Sequence, residues 1–251
     1  MLFDIHAHLN YKTFDKDRDE VVKRSEEAGV VAVIDNGTDV GSNRKVLELS
    51  KRYRIVLPAL GIYPSEALMM SDEEIDEELE FISKQKIVAI GEVGLDFFKV
   101  PNHARQEAVF LKFIELAKKM DLPMIVHSRD AEERTFELLQ QGGVKRVVMH
   151  CFSGNLELAE KIEKAGYFFS IPPAIVVSKK FQKLAKKISV EKLFTETDSP
   201  FLSHIPRTRN EPKNVEVTLK KISEIKKLEF FEVKKIFFMN FRRFFQIETF
   251  L

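Results

Sequence analysis

What most constrains the fold is an alternation that runs almost the whole length of the chain. Apolar, β-branched runs occupy residues 2–8, 30–36, 55–62, 87–92, 123–127, 146–150, 167–171 and 193–198. Helical stretches stand between them, at 15–28, 42–52, 71–84, 103–120, 131–140, 156–165 and 179–187. Short apolar runs separated by amphipathic helices are strands with crossover connections, and such strands pair in parallel. The stretch at 71–84 opens with Ser71-Asp72-Glu73-Glu74, a helix start with acidic residues near the positive end. Gly29, Gly143 and Gly166 stand where a helix must stop. About eight strand–helix units in 251 residues predict an α/β fold, a closed (β/α)8 TIM barrel, with residues 1–251 as one domain. A doubly wound open sheet is the competing arrangement, but no glycine-rich fingerprint follows the first strand. Two more helices are expected at 214–227 and 229–245. The second carries Phe230, Val233, Phe237, Phe241 and Phe244 near one stripe. It either packs on the barrel wall or offers a face for a homo-oligomer.

Charge and cysteine usage narrow the function. A formal net charge of +1 gives no bulk basic field, so a polyanion would have to be held locally. Cys151 is the one cysteine, which rules out an intramolecular disulfide and points to a reducing compartment, taken as the cytoplasm. The first residues enter a strand directly, with no basic and apolar leader pattern. No apolar run reaches the roughly 18 residues that span a bilayer.

Metal-competent side chains recur where strands run out. Side chains alternate along a strand, so His6 and His8 leave the same face of the first one. Glu92, His127, His150 and Asp198 also stand at strand ends. In a barrel of this kind chemistry sits at the C-terminal ends of the strands. First and last strands meet on closure, which sets Asp198 beside His6 and His8, with Asp4 and Glu196 one layer deeper. Glu92, His127 and His150 converge from the opposite side. A carboxylate has two oxygens, so Glu92 is the natural bridge between two cations. The expected sets are His6, His8, Glu92 and Asp198 for one ion, and Glu92, His127 and His150 for a second. Imidazole mixed with carboxylate suits Zn2+, Mn2+ or Fe2+; Mg2+ is a further candidate, though it prefers oxygen. Such ions bring a bound water to a pKa of about 7 and polarise the bond being cleaved. Asp198 is the candidate general base.

At these residues the chain resembles the TatD family of metal-dependent hydrolases. The matching stretches are Asp4-Ile5-His6-Ala7-His8, Gly91-Glu92-Val93-Gly94-Leu95-Asp96, Pro123 through Ala131, His150-Cys151-Phe152-Ser153-Gly154 and Glu196-Thr197-Asp198-Ser199-Pro200. Asn210-Glu211-Pro212 and Asn240 followed by Phe244-Phe245 extend the match to the end. The resemblance implies a (β/α)8 barrel, a divalent-metal site, and phosphodiester hydrolysis with DNA as substrate, typically deoxyribonuclease action of exonuclease type. One departure stands out. Family members often carry Gly-x-His-Pro after the third strand, whereas Gly61-Ile62-Tyr63-Pro64 puts Tyr63 there. A tyrosine can stack on a base or hydrogen-bond a phosphate. The loop before Asn210 reads Arg207-Thr208-Arg209, without the glycine often found there.

Other residues have two readings each. Arg129 either clamps a phosphate or braces Asp96. Ser153 and Gly154 form either a small anion loop or a plain turn. Arg207 and Arg209 make either a basic patch over the barrel mouth or a solvated loop. His204 is too far along to be an obvious ligand but can line the cleft, His103 reads as surface, and Cys151 as a buried thiol facing away from the metals. The competing activity is a metal-dependent amide or ester hydrolase, such as an aminoacyl-tRNA deacylase. A scaffold without catalysis is disfavoured by the complete set of ligands.

Overall fold

The computed structural model describes residues 1–98 and 100–247. Eight strands form one parallel sheet in sequential order: β1 Leu2–Ala7, β2 Val30–Asn36, β3 Val56–Leu60, β4 Ala89–Asp96, β5 Met124–Arg129, β6 Val147–Met149, β7 Phe168–Ile171 and β8 Leu193–Thr195. Closure between β1 and β8 uses little regular ladder. Thr195 Oγ1 donates to the Phe3 carbonyl at 2.7 Å, Asp198 N–H to the His6 carbonyl at 2.8 Å, and His8 N–H to the Ser199 carbonyl at 2.8 Å. A parallel bridge joins Ala7 and Ser199. The barrel is therefore the (β/α)8 arrangement that the alternation predicts, sealed by the segment after β8.

The helices are α1 Arg18–Glu27, α2 Val40–Arg52, α3 Pro64–Ala67, α4 Asp72–Ser83, α5 His103–Met120, α6 Glu132–Gly142, α7 Leu156–Lys164, α8 Lys179–Lys187, α9 Val215–Lys226 and α10 Phe230–Phe245. Ser71 and Glu74 make the reciprocal capping box that starts α4. The short α3 is unexpected; it is a single turn with Pro64 at its start. α1 begins later than the sequence suggests, because residues Lys12–Phe14 take a 3-10 turn first.

Two strand ends differ from expectation in ways that shape the site. β4 runs on past Glu92 to Asp96, through Gly94. Gly94 has φ of +143°, and a Cβ there would meet the His127 carbonyl oxygen at 2.0 Å. The missing side chain lets β4 and β5 approach where their donors emerge. β8 stops at Thr195, so Glu196 and Asp198 lie on irregular backbone, with Asp198 at φ of +52°.

α10 packs on the barrel wall. Val233, Phe237, Phe241, Phe244 and Phe245 are buried. Phe241 lies 4.4 Å from Phe3 of β1 between ring centroids, and Phe244 lies 4.8 Å from Phe168 of β7 and 5.3 Å from Phe194 of β8. Each such ring contributes about 1.5–3 kcal/mol by burial. Of its apolar residues, Phe231 and Met239 stay exposed.

Candidate metal centre

The strand ends converge on one polar cluster at the C-terminal mouth of the barrel. His6 Nε2 and His8 Nε2 lie 3.1 Å apart. Glu92 Oε2 is 3.5 Å from the first and 3.4 Å from the second; Asp198 Oδ1 is 3.6 and 3.4 Å away. Tetrahedral coordination with bonds of about 2.0–2.1 Å places its donors about 3.4 Å apart. The spacing of these four atoms therefore fits a divalent ion. The other oxygen of Glu92 serves a second group: Oε1 lies 2.9 Å from His127 Nδ1 and 3.2 Å from His150 Nε2, and those two nitrogens are 3.4 Å apart. One carboxylate thus offers an oxygen to each of two donor sets.

Hydrogen bonds behind the cluster set how His8, His127 and His150 point. His8 Nδ1 lies 3.0 Å from the Asn36 carbonyl oxygen, which can only accept, so Nδ1 carries the proton and Nε2 faces the cluster. His150 Nδ1 meets Glu196 Oε2 at 3.2 Å. Glu196 is itself held by Ser170 Oγ at 2.6 Å and by the Cys151 N–H at 2.9 Å. His127 Nε2 faces Asp96 Oδ2 at 3.2 Å, and the Tyr63 hydroxyl donates to that same oxygen at 2.6 Å. Asp4 accepts from the backbone of His6 and Thr197 and from the Thr197 hydroxyl, which pins the segment after β8 to β1.

The electrostatics keep the shared carboxylate ionised. Burial opposes ionisation of Glu92, but the imidazoles of His6, His150 and His127 outweigh it and hold the carboxyl well below its usual range. Burial also opposes charge on His8, yet Asp198 and Glu92 hold its pKa well above the ordinary imidazole value. Burial, and then His150, keep His6 below that value. The cluster opens onto a cleft of about 560 Å³ that includes Tyr11, Tyr63, Arg129 and Phe201 in its walls. Asp198 is the most open carboxylate of the cluster, 16% exposed against 5% for Glu92.

A profile of the family described as TatD related DNase matches residues 3–246. The chain belongs to this family. It is 38% identical over 253 residues to the deoxyribonuclease TATDN3 of Homo sapiens, a match covering 95% of this chain and 92% of that one. It is 31% identical over 238 residues to the 3'-5' ssDNA/RNA exonuclease TatD of Salmonella typhimurium, covering 88% and 90%. In three dimensions it is similar to the TatD homologue YJJV of Escherichia coli K12, with a TM-score of 0.92, 27% identity and 98% of both chains covered.

Outside the histidine–carboxylate cluster, several residues fall differently from the sequence reading. Arg209 is not free to meet a polyanion. Its guanidinium pairs with Asp17 at 2.5 Å and Glu211 at 3.4 Å, and lies over the Phe14 ring. Arg207 is exposed on the same loop, outside the cleft lining. The Ser153 hydroxyl borders the cleft but donates to Glu132 at 2.5 Å, so a ligand would have to displace that bond. Arg129 does line the cleft. Its guanidinium sits 3.9 Å over the Phe98 ring rather than on Asp96, whose oxygens are used by Tyr63, His127 and the Phe98 N–H. Tyr63 lines the cleft with its hydroxyl already spent on Asp96. Cys151 is half-buried and reaches the cleft wall, because φ of +46° breaks the strand parity that would turn it away. Burial and the nearby Glu196 push its thiol well above the ordinary value. His204 does not line the cleft; His103 is exposed and stacks on Phe97 at 3.7 Å. The sequence reading missed Tyr11 and Phe201, which lie on loops without periodicity. Each follows a cluster residue, His8 or Asp198, by three positions, and that spacing was the available signal.

Proposed function

We propose that this TatD-family protein is a divalent-metal-dependent deoxyribonuclease that trims DNA from an end. The observation that carries the reading is the division of the two Glu92 oxygens between two donor sets. His6, His8, Glu92 and Asp198 would hold one ion, and Glu92, His127 and His150 a second. Zn2+, Mn2+ and Fe2+ match the donor mixture better than Mg2+. Divalent ions bound there supply positive charge that acidifies a water and polarises the phosphodiester.

The chain's own residues do the rest. Glu92 stays ionised and presents an oxygen to each side. Glu196 fixes the ring of His150 from behind, and Asp96 with Tyr63 fixes that of His127. Asp198, the most open of the carboxylates, accepts the proton from the attacking water. Arg129, on the cleft wall, is the side chain placed to meet a phosphate. The names of the human and Salmonella relatives support a nucleic acid as substrate. The lone Cys151 fits a reducing location such as the cytoplasm.

The test strips the protein of metal and adds back Zn2+, Mn2+, Fe2+ or Mg2+ with end-labelled single-stranded DNA. Stepwise shortening is expected with at least one metal. Glu92→Ala and Asp198→Asn should each lower the rate by about 10²–10⁴-fold. Intact DNA with every metal, on protein whose metal content is verified, would reject the nuclease reading. Turnover of esters, amides or aminoacyl-tRNA by that same protein would then favour the other hydrolase class.

A further inference from the structure

We propose that Tyr11 and Phe201 form a stacking wall for the unpaired base beside the scissile phosphodiester, an inference that rests on the nuclease reading above. The two rings meet edge to face with centroids 5.5 Å apart. Both line the cleft that holds His8, Glu92 and Asp198. Their centroids lie 5.9 and 6.4 Å from that of His8, within one nucleotide's span of the donor cluster. The backbone fixes them there. The Tyr11 N–H bonds the His8 carbonyl at 3.0 Å, and the Phe201 N–H bonds the Asp198 carbonyl at 2.8 Å. The turns that carry two members of the cluster therefore carry the wall as well.

Their exposure is what needs an explanation. This chain buries its large rings, and among the described phenylalanines only Phe98, Phe201 and Phe231 count as exposed. Phe98 is covered on one face by Arg129. Phe201 is 46% exposed and Tyr11 38%, and both line the cleft that holds the donor cluster. An aromatic face held beside a phosphodiester site suits a nucleobase, because every base has a π-face and stacking tolerates sequence. A base inside a duplex is already stacked on its neighbours. The wall therefore selects single-stranded or frayed ends over blunt duplex.

The experiment compares two single-stranded oligonucleotides with the same phosphodiesters, one ending in a normal nucleotide and one in an abasic analogue. Phe201→Ala and Tyr11→Ala are each expected to lower kcat/KM on the normal end by roughly 10- to 100-fold. Both should leave the abasic end unchanged, and wild type should lose a comparable factor when the base is removed. An equal loss on both ends would make the residues merely structural and overturn the proposal, as would no loss on either. A second readout does not depend on turnover. The chain contains no Trp, so Phe201→Trp keeps an aromatic face and adds a unique fluorophore. The normal oligonucleotide should quench its emission and the abasic one should not; equal quenching, or none, overturns the proposal. Quenching without hydrolysis under any metal would instead remove the nuclease reading while leaving a base-binding wall.

Discussion

At the scale of single residues, one uncomfortable group is Asp35, at the end of β2. Oδ1 accepts from the side chain of Asn10 at 2.9 Å and from its backbone N–H at 3.3 Å, while Oδ2 is buried without a partner. Burial pushes its pKa up to about 6. The fold thus prefers the protonated form, so this contribution to stability is full below the unfolded carboxyl value and is lost as pH rises through about 6. A shift of about two units corresponds to about 3 kcal/mol. Asp35→Asn keeps an acceptor for Asn10 and cannot ionise. The stability of metal-free variant minus metal-free wild type, measured by urea unfolding, should therefore rise by about 2 kcal/mol between pH 4.5 and 7.5, the part of the loss that falls in that window. Any fixed cost of the new amide cancels in the comparison. A difference that stays flat across this range would mean Asp35 is not held protonated by burial.

Among the elements, α10 carries the clearest energetic prediction. Phe241 is fully buried between β1 and the rest of the aromatic layer, whereas Phe231 on the same helix is 79% exposed. Phe241→Ala should cost about 3–5 kcal/mol, and Phe231→Ala should stay within about 0.5 kcal/mol. Thermal unfolding of both variants decides it; equal shifts would mean that α10 does not pack as a wall helix. The stripe on α10 was readable because its apolar residues recur at helical spacing and bury one face. The strands were readable for a related reason: a parallel sheet covered on both sides needs continuous apolar runs. The cluster residues stood out because polar side chains ended those runs. Strand parity, by contrast, served only where the strand continued. It failed at Cys151, where φ turns positive. Asp198 lies near His6 and His8 even though β8 ends at Thr195, because the following segment continues along β1. The distant pairing of Arg209 was not readable. Its partner Asp17 is 192 residues away, and no local pattern marks such a pair. Ser153, on the loop after β6, and Glu132, at the start of α6, pose the same difficulty.

At the scale of the whole molecule, the cluster and the barrel's weakest seam are the same place. β8 contributes three residues, and beyond it the join to β1 rests on a few hydrogen bonds around His6, His8, Asp198 and Ser199. His6 and His8 stand on one side of that seam and Asp198 on the other, while Glu92 reaches them from β4. An ion bound by these side chains would tie the two edges together, so metal binding and folding should be strongly linked. At a free concentration 100 times Kd, one site adds about 2.7 kcal/mol. For a chain of this size that is roughly 5–10 °C in Tm. Titrating Mn2+ or Zn2+ into metal-free protein should raise Tm in two phases if both donor sets fill. Because Glu92 contributes to both sets, Glu92→Ala should abolish most of the rise. His127→Ala should remove only the second phase, leaving the set that spans the seam. A Tm that climbs equally in wild type and Glu92→Ala would mean the ions bind elsewhere, and the shared carboxylate would lose its assigned role.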